Sequence, residues 1–506
     1  MKGFFKTVAI VTVFSISEKF LGFIYRIYMS HTIGSEGVGL YQVALSVFAF
    51  LFTLISSGIP ITVSRLMTKY KALKDQKKVN KIMTAGIILS LVFSIPVCLI
   101  TLIFRNKLNF LFADQRCLNI FLILMPGLIF TSVYSVMRGI FWGNKDFLPY
   151  SIIELLEEVC MIVFGILLIN NAVTVYQGAF RAGVAVLISY LFSFSLSIVV
   201  FIYRKSKLSN PISQFKPLIK SSTPVTVMRT VGTLSTSLVS FILPAKLMEC
   251  GYSGAKAVSL FGSAVGQAVP LMFIPTSLIS SFILVLVPEI SEHYYKNEHQ
   301  NLKNDVEKSV NFTLFLSCMF FPVFLVCGKE LGVIIFNSHE CGEFLTVASF
   351  LVVFIGLTNI TTSILNSLGS ENSVLFFYMI SGVFMILCVW FLPKYLGIYS
   401  LVIGYLFTYG LTGVLNLILI YKKSIKKPKV LSALLYSIVF TIPTSIIGFM
   451  VEKIAIGILG NFFTVILTSI LMCAFMLALY IGFNLIDLKT FKIFNRKHKK
   501  RKENFA

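Results

Sequence analysis

Basic side chains stand inside long apolar runs of this sequence, at Lys19, Arg26 and Arg229. A charged side chain at the centre of a bilayer costs at least about 2.5 kcal/mol, so it normally faces a protein interior or water. Arginine can hold a phosphate through parallel hydrogen bonds, and lysine attracts it as a point charge. The pattern therefore predicts a cationic groove in which Lys19, Arg26 and Arg229 bind a phosphate or diphosphate group. In the alternative interpretation, Lys19 merely pairs with Glu18 and Arg229 extends to the inner membrane surface.

Three carboxylates share one face of a predicted helix, because Glu154, Glu157 and Glu158 are spaced at i, i+3 and i+4. Carboxylates this close need cations nearby, for which Arg138 and Lys145 are the local candidates, unless one of them carries a proton. The face therefore predicts proton or sodium coupling. The alternative is a polar patch at the inner membrane interface.

The sequence has no pattern typical of a catalytic or metal site. Its nine Cys include no C-x-x-C pair, and its five His form no H-E-x-x-H or comparable ligand spacing. We therefore predict a protein that is not an enzyme and has no cofactor, apart from a coupled proton or sodium ion.

The elements that position these charges are predicted to be membrane-spanning helices. Hydrophobic residues make up 57% of the 506-residue chain, and charged residues only 13%. Runs of about 20 apolar residues, the length that crosses a bilayer of about 30 Å, recur about 14 times. The fold class predicted is an all-α polytopic membrane protein with about 14 transmembrane helices.

Lys and Arg are concentrated on one predicted side of the membrane, in the loops 65–81, 204–220 and 422–429 and in the tail 496–502. Because basic loops are retained in the cytoplasm, both termini are predicted to be cytoplasmic. The formal net charge of +23 is explained by this topology and by attraction to anionic membrane lipids. Nucleic acid is not a predicted partner.

Similar apolar segments, SYLFSFSL from Ser189 and GYLFTYGL from Gly404, each precede a basic stop. The copies are predicted to cross the membrane in the same direction, which indicates parallel halves with a solute path between them. The predicted organisation is an N-terminal six-helix lobe over 1–205, a cytoplasmic linker over 206–220, a C-terminal six-helix lobe over 221–423, two additional transmembrane helices over 424–486 and a basic cytoplasmic tail over 487–506.

Several segments carry a family resemblance. Arg138-Gly139, Gly143, Pro149 and Glu157 are spaced as R-G-x-x-x-G-x5-P-x7-E, which resembles the signature of prokaryotic polysaccharide and lipid-linked oligosaccharide exporters. Lys19–Phe23 is similar to the first helix of the lipid II flippases. The chain also resembles the stage V sporulation protein B branch of the multidrug/oligosaccharidyl-lipid/polysaccharide exporter superfamily at Ser57–Pro60, Gly251-Tyr252, Leu260–Gly262, Pro270-Leu271, Leu286–Ser291 and Leu365–Gly369.

The resemblance implies two six-helix lobes that form a V around a central cavity. It implies a flippase that moves a polyprenyl-pyrophosphate-linked sugar or a peptidoglycan precursor such as lipid II to the outer leaflet of a bacterial cytoplasmic membrane by alternating access. The process would be cell-wall, spore-cortex or polysaccharide synthesis, with cell-wall synthases as partners. The resemblance implies a cationic cavity role for Lys19 and structural or gating roles for the motif positions Arg138, Gly139, Gly143, Pro149 and Glu157.

The chain departs from the family pattern on one helix face. At three positions where the branch commonly has glutamine, this chain has Trp142, Glu154 and Glu158. At a fourth position, where the branch has arginine, it has Met161. The more acidic face keeps a second hypothesis open, a proton- or sodium-coupled multidrug exporter of the same superfamily. A third, a membrane-embedded glycan polymerase or ligase, would need a catalytic outer loop, and the predicted outer loops are short.

Overall fold

The computed structural model describes residues 2–204 and 207–483, and the regular elements in these ranges are all helical. The all-α prediction is therefore confirmed, while the predicted tail 487–506 lies outside the described residues. The helices are α1 (Lys2–Ser56), α2 (Ile59–Ala72), α3 (Gln76–Ile103), α4 (Gln115–Gly143), α5 (Phe147–Ile169), α6 (Val175–Tyr203), α7 (Ile212–Glu249), α8 (Gly254–Phe261), α9 (Val269–Met272), α10 (Ile274–Tyr295), α11 (His299–Val326), α12 (Gly328–Phe336), α13 (His339–Ala348), α14 (Leu351–Ser367), α15 (Glu371–Phe391), α16 (Pro393–Leu396), α17 (Ser400–Tyr405), α18 (Thr412–Lys423) and α19 (Val430–Gly482). Short π-helical segments at Gly262–Ala268 and Leu406–Leu411 join some of them.

The number of membrane spans differs from the prediction. Within the described ranges, 11 helices are long and apolar enough to cross a membrane, or 12 when α13 and α14, bent by 60°, count as one span. The count of 14 is therefore not confirmed. One reason is that the first two predicted spans form one continuous segment over Val13–Ala72. Another is that Glu154, Glu157 and Glu158 give α5 too many charges to be counted among the apolar helices.

The longest helices are broken at glycines. A straight helix of the length of α1 would extend about 80 Å, more than twice the thickness of the hydrocarbon core. Gly34 has φ 66° and divides α1, and Gly460 has φ 72° and divides α19. A positive φ is readily adopted by glycine because it has no Cβ. Within the range 424–486, where two additional C-terminal helices are predicted, the structure describes the two segments of α19 up to Gly482, and the range itself stays a prediction.

Side-chain caps fix where several helices begin. Asp75 accepts a hydrogen bond of 3.1 Å from the backbone N–H of Lys78 at the start of α3, and Thr174 accepts one from Gln177 at the start of α6. The hydrogen bond from the Lys78 backbone, reinforced by the Lys78 side chain, lowers the pKa of Asp75. A carboxylate with a lowered pKa stabilises the fold above its ordinary titration range, and this contribution is lost as the pH falls through the folded value.

The described part of the chain divides into two compact units, one within residues 1–267 with 389–398 and the other within residues 268–388 with 399–506. The core of the N-terminal unit joins α2, α3 and α4 through Met67, Ile82 and Val136. The core of the C-terminal unit joins α11, α14 and α19 through residues such as Leu314 and Tyr480. Because α7 packs against α1, α2 and α3, it belongs to the N-terminal unit. These units do not coincide with the predicted lobes, and the lobe boundaries stay a prediction.

Helices α1 and α8 cross at contact distance between their backbones. A Cβ atom at Gly39 would lie 2.1 Å from the carbonyl oxygen of Val258, and a Cβ atom at Gly262 would lie 2.1 Å from the carbonyl oxygen of Ser35. Both separations are far shorter than van der Waals contact. The crossing therefore requires a residue without a side chain on α1 and another, Gly262, in the π-helical segment that directly follows α8.

Candidate anion-binding site

Arg138 on α4 is held in place by two neighbours. Its Nη1 lies 2.7 Å from Oε1 of Glu154 on α5, and the two side chains are only 29% and 19% exposed. Its guanidinium carbon lies 5.1 Å from the ring centroid of Trp142, one helical turn further along α4. The Nε atom of Arg138 is buried and has no hydrogen-bond partner. Arg138 is thus fixed in position and still has an unused donor.

A cavity of about 310 Å³ in the N-terminal unit contains this arginine. Helices α1, α2, α4 and α7 supply its walls, and Arg229 on α7 reaches the same space. We call it the arginine cavity, lined by Phe52, Thr53, Ser56, Ser57, Pro60, Ile61, Ser135, Arg138, Trp142, Arg229, Gly232 and Thr233. Guanidinium groups surrounded by hydroxyl groups are well suited to hold phosphate oxygens.

The break between α1 and α2 borders this cavity, because Ser56, Ser57 and Pro60 are among its lining residues. At the break, a Cβ atom on Gly58 would lie 2.3 Å from Oγ1 of Thr226, so α7 approaches the chain closely there. Nearby, the hydroxyl groups of Ser56 and Ser135 lie 2.9 Å apart and join α1 to α4 in the cavity wall. Close packing at a glycine thus brings Arg229 on α7 to the same space as α4.

The motif glycines position α4 rather than contact a ligand. A Cβ atom on Gly139 would lie 2.4 Å from the carbonyl oxygen of Pro60, and one on Gly143 would lie 3.0 Å from Cβ of Met67. Small residues four positions apart therefore let α2 pack directly against α4. Pro149 lies in the first turn of α5, where a missing backbone N–H costs no helical hydrogen bond.

A group of carboxylates lies beside the arginine cavity, between α1 and α5. Oε1 of Glu158 would lie 2.8 Å from a Cβ atom on Gly22, so α1 passes directly over α5 there. Glu18 on α1 interacts electrostatically with Glu154 and Glu158. Glu157 is hydrogen-bonded to Ser193 on α6, and its Oε2 atom is buried without a partner. We call Glu18, Glu154, Glu157 and Glu158 the carboxylate cluster.

The structure separates the cations for which a common phosphate-binding role was predicted. Arg229 lines the arginine cavity, whereas Lys19 and Arg26 are not among its lining residues. Arg26 donates a hydrogen bond of 3.1 Å to the carbonyl oxygen of Gly266 and interacts electrostatically with Glu158. Lys19 is exposed on α1 and interacts with Glu18. The phosphate-binding role of Lys19 and Arg26 stays a prediction.

Sequence reasoning missed two parts of this site. It gave Arg138 a motif role and named it as a candidate cation for the carboxylates, but it did not place Arg138 and Arg229 in one cavity. It treated Trp142 as a departure from a family pattern, although the spacing of Arg138 and Trp142 at i and i+4 places them on one helix face. Within residues 2–204 and 207–483, no group of three or more His, Cys, Asp or Glu is placed to hold a metal ion.

Comparison with known proteins places the chain in a family. A family model described as "Polysaccharide biosynthesis protein" matches residues 4–294, more than half of the chain. Stage V sporulation protein B of Bacillus subtilis (strain 168) is 26% identical over 372 residues, which cover 69% of this chain and 70% of that protein. Lipid II flippase MurJ of the same organism is 20% identical over 337 residues, which cover 61% of each protein.

Solved structures show the same fold. Lipid II flippase MurJ in an inward closed conformation superposes with a TM-score of 0.70 at 15% identity, covering 94% of this chain and 100% of that chain. An inward-facing multidrug resistance MATE family transporter of the MOP superfamily gives a TM-score of 0.66 at 16% identity, covering 79% of this chain and 93% of that chain. The resemblance stated from the motif between Arg138 and Glu157 is confirmed, and the chain belongs to the polysaccharide biosynthesis protein family.

Proposed function

We propose that this protein is a membrane flippase that exports a polyprenyl-diphosphate-linked sugar or peptidoglycan precursor across the bacterial cytoplasmic membrane. The observation that carries the proposal is the arginine cavity, in which Arg138 and Arg229 face one space lined by hydroxyl groups. Similarity to a lipid II flippase and membership of the polysaccharide biosynthesis protein family support the class of substrate. The protein acts as a transporter and not as an enzyme.

The physical task explains why such a cavity is needed. The diphosphate of a lipid-linked sugar is ionised, and moving a single charge to the bilayer centre already costs at least about 2.5 kcal/mol. A cavity at membrane depth lowers this cost when fixed donors replace the water around the phosphate oxygens. Arg229 would hold one phosphate through two parallel hydrogen bonds, and Nε of Arg138 would donate to the other. Lys19 and Arg26 would attract the headgroup as it approaches along α1.

Transport of a labelled substrate tests the proposal. Proteoliposomes should contain a polyprenyl-diphosphate-linked sugar with a fluorophore that an added reductant quenches only in the outer leaflet. We expect the protein to increase the quenched fraction beyond that in protein-free liposomes, because labelled lipid reaches the outer leaflet. Lipids with several different sugar headgroups should be compared, because the proposal does not specify which sugar is carried. A folded protein that accelerates none of them would contradict the assigned function.

A second candidate function is supported by the carboxylate cluster. Glu157 and Glu158 interact with each other and with charges on α1 and α4, and a buried acidic face is suited to an organic cation or to proton coupling. On this alternative the protein is a proton- or sodium-coupled multidrug exporter of the same superfamily. Efflux of a fluorescent organic cation driven by an imposed proton or sodium gradient, without any lipid flipping, would favour it over the flippase.

We further propose that both termini face the cytoplasm. The basic loops 65–81 and 422–429 support this orientation, since Lys and Arg are retained on that side. A reporter that is active only in the cytoplasm is expected to be active when fused after residue 506. A second reporter that is active only outside the cytoplasm should be inactive when fused at the same position. An inactive cytoplasmic reporter together with an active external reporter would overturn the orientation.

A further inference from the structure

One arginine belongs to both of the sites described above. Arg138 lines the arginine cavity together with Arg229. The same guanidinium group forms the 2.7 Å ion pair with Glu154, a member of the carboxylate cluster. Any anion that binds in the cavity therefore competes with Glu154 for the positive charge of Arg138.

We propose that a bound diphosphate displaces Glu154 from Arg138 and that the carboxylate cluster takes up a proton in exchange. This inference rests on the proposed function, because it takes the lipid-linked diphosphate as the ligand. No covalent bond changes in this step. The diphosphate gains the guanidinium as its counter-ion, and a proton from solvent replaces the guanidinium as the partner of the cluster.

The surroundings of Glu154 explain why the cluster would need the proton. On α1 it faces Glu18 and on its own helix it faces Glu157, so these neighbours carry the same sign of charge and Arg138 is its partner of opposite charge. Carboxylates in a partly buried group cannot all stay ionised once their cation is engaged elsewhere. The titratable and charged groups that line the cluster are Glu18, Lys19, Tyr25, Arg26 and Tyr41 on α1, Tyr134 and Arg138 on α4, Tyr150, Glu154, Glu157 and Glu158 on α5 and Tyr190 on α6.

Charge counting supports the same conclusion. The cations that interact with the four carboxylates of the cluster are Lys19, Arg26 and Arg138, whereas Arg229 lines the arginine cavity. A sugar-linked diphosphate adds two negative charges, of which Arg229 can neutralise one. The second charge competes for Arg138, so the cluster loses one of its three cations and one more carboxylate is left uncompensated. Uptake of one proton removes that excess.

Trp142 makes the exchange of partners feasible without loss of position. The guanidinium of Arg138 lies over its ring at 5.1 Å, and this contact does not depend on Glu154. Trp142 is therefore a positioning residue that keeps Arg138 beside the cavity when its carboxylate partner leaves. The unused Nε donor of Arg138 is the first point at which a phosphate oxygen can bind.

Calorimetric titration of the full-length protein tests the exchange. The probe is a short-chain polyprenyl-diphosphate-linked N-acetylglucosamine. Each of its phosphates has one ester bond and one anhydride bond, which leaves a single acidic oxygen that stays ionised near neutral pH. Binding heats measured in buffers with different ionisation enthalpies give the number of protons taken up. We expect the wild type to take up about one proton per bound ligand. Its dissociation constant should then increase by up to about tenfold for each unit by which the pH is raised.

The variant Glu154→Gln should separate binding from proton uptake. Glutamine keeps the size of the side chain but does not compete as an anion, so we expect the probe to bind at least about fivefold more tightly. Proton uptake should largely disappear and the pH dependence should flatten. The control is Glu36→Gln, since Glu36 forms an ion pair of the same type and length, 2.7 Å, with Arg116 away from the cavity. It should leave affinity and proton uptake at wild-type values.

The outcomes distinguish this inference from the proposed function. Binding of the probe by wild-type protein without proton uptake would overturn the exchange and leave the flippase assignment standing. Unchanged uptake in Glu154→Gln would also overturn it. Failure of the wild type to bind the probe would instead contradict the proposed function itself. The wild-type pH dependence provides a result even where Glu154→Gln does not fold.

Discussion

Replacing Arg229 with glutamine is expected to slow flipping of a polyprenyl-diphosphate-linked sugar by about 10- to 150-fold. A hydrogen bond to a charged group contributes about 1.5–3 kcal/mol, and each 1.4 kcal/mol corresponds to a tenfold change. Arg138 and Arg229 both line the arginine cavity, and Arg138 is paired with Glu154. Arg229 forms no ion pair among the described residues, so its charge is available to the ligand. The rate is measured in the proteoliposome assay at equal protein content.

The matched control is Lys246→Gln on the same helix. Lys246 lies near the end of α7, pairs with Glu249 at 2.7 Å and lies 4.3 Å from the ring centroid of Trp390. It is not among the residues that line the arginine cavity. We expect this control to retain nearly full activity, and Arg229→Lys to recover part of it, since lysine keeps the charge but not the planar donor pair. Equal losses at Arg229 and Lys246 would show that the cavity has no special part in transport.

Replacing Gly139 with valine is expected to destabilise the folded protein by about 3 kcal/mol or more. The added Cβ would lie 2.4 Å from the carbonyl oxygen and 2.7 Å from Cα of Pro60, so the backbone of α2 would have to move. Because α2 and α4 both line the arginine cavity, the movement would also disturb the site. The loss of stability is measured as a lower unfolding temperature of the detergent-purified protein, with size-exclusion chromatography as the readout of folded protein after heating.

Gly457→Val is the control for this substitution. Gly457 lies in α19, and a Cβ atom there would have no atom within 4 Å beyond the adjacent backbone of its own helix. The same side chain added at this open position should change the unfolding temperature little. A Gly139→Val protein as stable as Gly457→Val would disprove the argument that the glycine is needed for the contact between α2 and α4.

The sequence predicts the class of the fold because membrane helices must satisfy their backbone hydrogen bonds within a long apolar segment. It does not predict where one helix continues directly into the next and where a glycine breaks it. Gly34 and Gly460 break α1 and α19 through a positive φ, but other glycines, such as Gly457, continue a helix. Which glycine breaks a helix depends on packing between elements that are distant in sequence, and periodicity within one segment carries no information on it.

The candidate site shows the same division. The common face of Glu154, Glu157 and Glu158 follows from helical spacing alone, and these residues do lie on one helix, α5. The pairing of Arg138 with Arg229 depends on how α7 packs against the break between α1 and α2, where Thr226 approaches Gly58. No local pattern contains that contact. Charge in an apolar run therefore identified candidate residues, and only the folded chain could tell which of them share a cavity.

The crossing of α1 and α8 limits how this sequence can vary. At Gly39 and Gly262 the two backbones touch, and a methyl group added at either position would lie 2.1 Å from a carbonyl oxygen of the opposite helix. Such a group would push the other helix away, and a change on one helix cannot compensate for a change on the other because both already lack side chains. Substitutions accepted over time should therefore accumulate on lipid-facing surfaces, while both of these positions stay glycine.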